Sequence, residues 1–217
     1  AATQSVQSVT FPALSEVRGD APKFAESYRQ VVLITAYVMF PAMLGLSAVA
    51  HDLFALLLSE KWMPTVPYFE VVCLAGLFYP VGMICYNVLK VMSRGPLIVR
   101  LEVVKKLLMT VVFAVTIPHS VMAVVWGLVV IAFGEMAVNF LATRRFTRFT
   151  TRRFLRTLLP VALVSGTMYL LVRLTACAVP GHLLLRLAAQ LLVGAAAYVG
   201  LSVLFRLEAF GLLCDLM

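Results

Sequence analysis

Long stretches without a charged residue constrain this chain more than any other feature. Residues 30–50, 71–89 and 187–205 contain no Asp, Glu, Lys or Arg, and each is 19 to 21 residues long. About 20 apolar residues are what a helix needs to cross the hydrocarbon core of a bilayer. Hydrophobic residues make up 62% of the chain, against roughly 45–50% in a soluble domain. This composition excludes a water-soluble domain and a disordered chain, and it predicts an all-α polytopic membrane protein.

Two further uncharged stretches complete the predicted set of helices. Residues 107–134 are uncharged over 28 positions, and Pro118-His119-Ser120 is expected to divide them into two helices. Residues 157–172 reach spanning length only if the flanking arginines extend towards the headgroups. We therefore predict six full spans, and we expect residues 1–15 to be the end of a seventh. The spans are predicted at about 30–50, 67–90, 97–117, 120–143, 155–175 and 184–205.

Lysine and arginine alternate between the predicted loops and indicate the orientation. Alternate loops carry 15 basic residues on one side of the membrane and 3 on the other. The more basic side of a multi-pass protein faces the cytoplasm. We therefore expect a multi-pass membrane protein with a cytoplasmic C-terminus. Because the chain opens on Ala-Ala-Thr-Gln rather than Met, we also expect it to be a piece of a longer protein.

Ionisable residues at membrane depth are the candidate functional residues. Glu135 lies inside the span predicted at 120–143, and Asn139 follows one turn later on the same face. One interpretation is a proton- or cation-responsive site in a translocation path. The alternative is a structural hydrogen bond, or a carboxylate hydrated near the interface. In either case, we expect Glu135 to face protein or water rather than lipid.

Glu102, Lys105 and Lys106 form a second candidate group in the translocation path. Their spacing puts both lysines on the face of Glu102. They are interpreted either as a basic lining for an anionic headgroup or as interfacial lysines that extend to the membrane surface.

The connector between two spans is strongly basic, and Phe146, Phe149 and Phe154 lie between its arginines. We interpret it as a membrane-surface segment on anionic lipid and not as a nucleic-acid site, because it directly joins two spans. Its six arginines are Arg144, Arg145, Arg148, Arg152, Arg153 and Arg156.

Helix-breaking and small residues give weaker signals. Pro41 and Pro80 fall near the middle of their spans, so we expect them to bend their helices. Ala196 and Gly200 are four residues apart and suggest close helix packing. Histidines at metal-ligand spacing, paired carboxylates, a Ser/His pair and a Gly-rich phosphate loop are all lacking. The sequence therefore predicts no catalytic residues, no metal, no cofactor and no enzyme activity.

Several local strings, in order along the chain, resemble the polysaccharide flippases (O-antigen and colanic-acid type) of the multidrug/oligosaccharidyl-lipid/polysaccharide exporter superfamily. Ser59 often has Gly in its place in that family, and Val91–Gly95 is a loose version of its usual pattern. The resemblance covers about residues 9–145, and the last two spans match by hydropathy only. Its strings are Phe11–Ser15, Tyr28-Arg29, Pro41, Gly45-Leu46, Leu56–Trp62, Val66–Tyr68, Asn87–Leu89 and Leu101–Lys106.

The resemblance implies two six-helix lobes followed by two trailing helices. Residues 1–150 would be most of the C-terminal lobe and residues 151–217 the trailing pair, so the missing N-terminal lobe is an expected partner. The implied function is translocation of polyprenyl-pyrophosphate-linked oligosaccharide across the cytoplasmic membrane by alternating access. Membrane lipids are expected partners and nucleic acid is not. Alternatives are a drug/cation antiporter, a peptidoglycan-precursor flippase or a non-transporting membrane scaffold.

Overall fold

The computed structural model describes residues 21–58, 60–92, 95–147, 149–178 and 182–216, and the regular elements in these ranges are all helical. This confirms the all-α prediction, whereas the expected helix end at residues 1–15 lies outside the described residues. A 3₁₀ helix at Glu60–Thr65 precedes the second long helix. The α-helices are α1 (Ala21–Leu57), α2 (Val66–Val91), α3 (Gly95–Thr116), α4 (Val121–Thr147), α5 (Thr151–Ala178), α6 (Leu183–Leu204) and α7 (Glu208–Leu216).

Five of these helices are long and apolar enough to cross a membrane by length and composition: α1, α2, α4, α5 and α6. The sixth predicted span corresponds to α3. Its 22 residues rise about 33 Å at 1.5 Å per residue, which is sufficient for the hydrocarbon core. However, the first 12 residues of α3 include the charged side chains of Arg100, Glu102, Lys105 and Lys106.

The predicted break between α3 and α4 is confirmed. Helix α3 ends at Thr116, and α4 begins at Val121. The hydroxyl of Ser120 accepts a hydrogen bond from the amide of Ala123 at 3.1 Å, as an N-cap serine does. The chain thus reverses within four residues, because Pro118 and a capping serine follow one another there.

Two compact units divide the chain, and each is described by itself. Among the described residues, the first unit comprises those within 21–36 and 75–158, and the second comprises those within 37–74 and 159–216. The predicted division at residue 150, between a lobe and a trailing pair, remains a prediction.

An aromatic cluster forms part of the core of the first unit. The rings of Phe140 and Phe154 stack with centroids 4.1 Å apart, and those of Tyr28 and Phe149 form a T-shaped pair with centroids 5.2 Å apart. All four side chains are buried. The hydroxyl of Tyr28 donates to the sulfur of Cys85 at 3.0 Å, so this core joins α1, α2, α4 and α5.

In the second unit, a buried stripe on α6 recurs every four residues: Gln190, Gly194, Tyr198 and Ser202. The small residues expected to pack, Ala196 and Gly200, are exposed instead. That expectation was wrong because the two residues lie on a different face of the helix from the stripe. Gly194 makes the close approach, since a Cβ there would come within 3.1 Å of Val172.

Both predicted helix-bending prolines lie inside helices that continue past them. Pro41 lies in α1 and Pro80 in α2. The hydroxyl of Tyr198 donates a hydrogen bond of 2.6 Å to the carbonyl oxygen of Tyr37, four residues before Pro41. In a regular helix, the N–H of residue 41 would donate a hydrogen bond to this oxygen, but proline has no N–H.

Candidate functional site

A cavity of about 200 Å³ lies between α2, α3 and α4 within the first unit. Helical spacing explains its lining, because residues three, four or seven apart share a face. Helix α2 contributes Tyr79, Gly82 and Tyr86 to this cavity. Four of the five predicted path residues also line it: Glu102, Lys105, Glu135 and Asn139. The fifth, Lys106, is exposed and is not among the lining residues.

Lys105 pairs with Glu102 inside this cavity. The distance from Lys105 Nζ to Glu102 Oε1 is 2.5 Å, and the side chains are 8% and 40% exposed. The lysine is therefore buried and does not extend to a surface, whereas its neighbour Lys106 is exposed. The two lysines thus have different surroundings, and both interpretations of the pair remain predictions.

The ring of Tyr86 lies under two ammonium groups. The Nζ atoms of Lys105 and Lys90 are 4.7 and 4.6 Å from its centroid. A cation over an aromatic face gains roughly 0.5–2 kcal/mol, depending on how far it is desolvated. Tyr86 therefore helps to hold Lys105 at the wall of the cavity.

Asn139 contributes an oxygen without a partner. Its Nδ2 atom donates to the carbonyl oxygen of Gly82 at 3.2 Å. Its Oδ1 atom is buried and has no hydrogen-bond partner among the described residues. A buried acceptor left unsatisfied costs about 1–3 kcal/mol. The arrangement thus favours a bound proton donor, water or cation at this oxygen.

Glu135 lines the same cavity one turn before Asn139, so a carboxylate and an amide oxygen share one wall. Such oxygens are the ligands that hard cations prefer. The cavity is smaller than the roughly 300–1,000 Å³ of small-molecule pockets. It therefore has room for an ion with a few waters but not for an oligosaccharide.

A second polar cluster, in the second unit, was missed by the sequence analysis. The guanidinium of Arg186 donates through Nε to Asp52 Oδ2 at 2.8 Å and through a second nitrogen to Oδ1. Gln190 Nε2 also donates to Oδ2, at 2.9 Å. Nearby, Arg173 pairs with Glu70 at 2.8 Å. The sequence signal was a matched set of two acids and two arginines near the ends of spans that meet the same predicted side of the membrane.

The basic connector is shorter than expected. Helix α4 continues to Thr147 and α5 begins at Thr151, where the Thr151 hydroxyl accepts from Arg144 at 3.0 Å. Phe149 and Phe154 are buried in the protein core rather than placed on a surface, while Phe146 is half-buried. Arg148 lies outside the described residues, and the other connector arginines are exposed: Arg144, Arg145, Arg152, Arg153 and Arg156.

Contacts between the ends of spans agree with the predicted alternation of loops. Tyr28 contacts Phe149 at one predicted side of the membrane. Asp52 contacts Arg186 at the other. Each contact joins loops that the basic-residue count places on the same side. Which of these sides is cytoplasmic remains a prediction.

Comparison with known proteins links the chain to polysaccharide biosynthesis. A family model described as "Polysaccharide biosynthesis protein" matches residues 1–67. An "Uncharacterized membrane protein in cps region" of Klebsiella pneumoniae is 30% identical over 142 residues, covering 64% of this chain and 28% of that protein. No solved structure gives a significant match.

A second relative is the "Lipopolysaccharide biosynthesis protein WzxC" of Escherichia coli (strain K12). It is 31% identical over 74 residues, covering 34% of this chain and 15% of that protein. The matched segments thus span less than a third of either relative. The family match and these relatives agree with the motifs in the sequence, and over the matched residues the chain is similar to membrane proteins of polysaccharide biosynthesis.

Proposed function

We propose that this chain is part of a transporter that moves lipid-linked oligosaccharide units across the bacterial inner membrane for polysaccharide biosynthesis. The names of the relatives support a role in polysaccharide biosynthesis. The five helices of spanning length support a place in the membrane. The proposed partners are the lipid-linked substrate and an N-terminal lobe that completes the translocation path. The C-terminus is proposed to be cytoplasmic.

The cavity between α2, α3 and α4 serves, in this proposal, as the ion-responsive part of the translocation path. The observation that carries it is the unpartnered Oδ1 of Asn139, in a cavity that Glu135 also lines. Transporters alternate between states by binding a proton or a cation at intramembrane polar residues. A proton or cation that binds at Glu135 more strongly in one state than in the other biases the transporter towards that state.

The test is export by the full-length protein in a flippase-deficient strain. Glu135→Gln keeps the size of the side chain and removes its charge. We expect export to fall at least about tenfold, because an interaction of about 1.4 kcal/mol that differs between the two states is lost. The matched control is Glu60→Gln, since Glu60 is an exposed acid outside the cavity.

Protein level in the membrane is measured alongside export. Full export by Glu135→Gln would contradict the assignment of the cavity. If the unsubstituted full-length protein failed to restore polysaccharide at the cell surface, the proposed transport itself would be wrong.

A further inference from the structure

The second unit contains a cavity of about 520 Å³ that the proposed transport does not use. Its walls are the end of α1, the start of α2, the end of α5 and the start of α6. This volume is within the range of pockets that bind small molecules, roughly 300–1,000 Å³. The charged lining residues lie within about one turn of the ends of the predicted spans, at the level of the membrane–water interface.

Gln190 lies on the wall between this cavity and a neighbouring, largely apolar one, and it carries a buried acceptor without a partner. Gln190 is 1% exposed, and its Nε2 is occupied by Asp52. Its Oε1 atom is buried and has no hydrogen-bond partner among the described residues. A ligand at this wall therefore gains from an N–H or O–H donor.

Hydrogen-bond donors face the same cavity. Arg173 is 45% exposed and donates one Nη to Glu70. A guanidinium has five N–H groups, so others remain to bind an oxygen of a ligand. Glu70, which is 28% exposed, places an anionic oxygen beside that guanidinium.

The charges of the lining residues balance. Asp52 and Glu70 oppose Arg173 and Arg186, and His51 is counted as neutral. A site for an anionic headgroup would have an excess of positive charge, which this lining lacks. The described lining residues also include no Phe, Tyr or Trp on which a sugar ring could stack. The remaining wall is largely apolar and includes Ala48, Met63 and Val66.

We propose that this cavity binds the headgroup of a zwitterionic phospholipid that carries a primary ammonium, such as phosphatidylethanolamine. The ammonium donates to Gln190 Oε1 and pairs with Glu70. The phosphate accepts hydrogen bonds from Arg173, and the first acyl carbons lie on the apolar wall. This inference does not depend on the proposed transport.

Native mass spectrometry of the detergent-purified protein tests the site. The protein is titrated with phosphatidylethanolamine, phosphatidylcholine and phosphatidylglycerol that have identical acyl chains. Phosphatidylcholine has no N–H on its headgroup, and phosphatidylglycerol carries a net negative charge. We expect phosphatidylethanolamine to bind about tenfold more tightly than phosphatidylcholine, since one charge-assisted hydrogen bond is worth about that factor. Equal binding of the two lipids, or a preference for phosphatidylglycerol, would overturn the proposal.

Two variants test whether the preference for phosphatidylethanolamine arises in this cavity. Arg173→Gln and Gln190→Met should each abolish most of the selectivity for phosphatidylethanolamine. Arg152→Gln, an exposed arginine in the first unit, is the control and should keep it. Arg173 is half exposed, so its variant is informative even if Gln190→Met does not fold. Unchanged selectivity in Arg173→Gln would contradict the site.

A soluble headgroup separates a lipid site from a site for a free metabolite. Phosphoethanolamine without acyl chains should compete at least about a hundredfold more weakly than the lipid, because it buries no apolar surface on the wall. If phosphoethanolamine displaced the lipid when the two were present at equal concentration, the ligand would be the free compound. That result would overturn the assignment to a lipid.

Discussion

The carbonyl oxygen of Tyr37 illustrates how one side chain compensates for a local defect in a helix. Pro41 has no N–H to donate to this oxygen, and lipid offers no water to replace the donor. The hydroxyl of Tyr198 on α6 takes that place at 2.6 Å, and the two tyrosine rings lie 4.9 Å apart. The backbone carbonyl that Pro41 leaves without a donor in α1 thus accepts a hydrogen bond from α6.

We expect Tyr198→Phe to lower the free energy of unfolding by about 1–3 kcal/mol, because it leaves a buried carbonyl without a donor. Tyr169→Phe on α5 is the matched control, since Tyr169 is only half-buried. Adding Pro41→Ala should recover most of the loss, because the alanine supplies the missing backbone amide to the carbonyl of Tyr37. Denaturant titration in micelles measures the free energy of unfolding of each protein. If Pro41→Ala gave no recovery, the compensating role of Tyr198 would be refuted.

At the scale of helices, glycines set how closely neighbours approach in the first unit. A Cβ on Gly82 of α2 would lie 3.2 Å from the Cα of Met136 on α4, which is backbone and cannot rotate away. This approach lets Asn139 reach the carbonyl of Gly82 and thereby shapes the cavity beside Glu135.

Gly82→Ala is expected to destabilise the protein by about 1–3 kcal/mol through overpacking. Gly166→Ala should instead be neutral or stabilising by up to about 1 kcal/mol. A Cβ at Gly166 meets nothing within 4 Å, and alanine favours a helix over glycine. Thermal unfolding of the two variants measures the contrast. Similar unfolding temperatures for both would argue against close packing at Gly82.

The arginines near the ends of α5 and α6 form two ion pairs of different burial. Asp52 is 4% exposed in its pair with Arg186, whereas Glu70 and Arg173 are 28% and 45% exposed. Removing one partner of a buried pair leaves an uncompensated charge, while an exposed pair contributes little.

We therefore expect Arg186→Met to cost about 3–5 kcal/mol of unfolding free energy and Arg173→Met at most about 1 kcal/mol. The double variant Asp52→Leu/Arg186→Met should recover much of the loss, because neither charge is then buried alone. Equal effects of the two arginine variants would show that burial does not control the strength of these pairs.

At the scale of the whole molecule, the alternation of basic loops predicts which loops share a side of the membrane. Lys61 and His119 are exposed residues of the weakly basic loops, and Arg152 is an exposed residue of the strongly basic side. The four native cysteines must first be replaced, because Cys177 is itself exposed.

In that background, cysteine at Lys61 or His119 should react with a membrane-impermeant maleimide added to intact cells. Cysteine at Arg152 should react only after the cells are lysed, because the positive-inside rule places it in the cytoplasm. Labelling of the Arg152→Cys variant from outside would reverse the proposed orientation and the side on which substrate is loaded.

Uncharged stretches and helical spacing were sufficient to predict the six long helices, but not α7, and to predict which residues of the candidate site share a helix face. Uncharged stretches determine where α1, α2 and α4–α6 run, because bilayer thickness sets their length. The spacing of Glu135 from Asn139, and of Glu102 from Lys105, determines which side chains share a helix face, because 3.6 residues make one turn.

Only the tertiary structure decided which faces meet. It brought Glu102 and Lys105 of α3 together with Glu135 and Asn139 of α4 in one cavity. It paired Asp52 with Arg186, 134 residues later. It also buried Gly194 rather than Gly200. Spacing along one helix cannot specify these contacts, because they depend on the rotation and close packing of other helices against it.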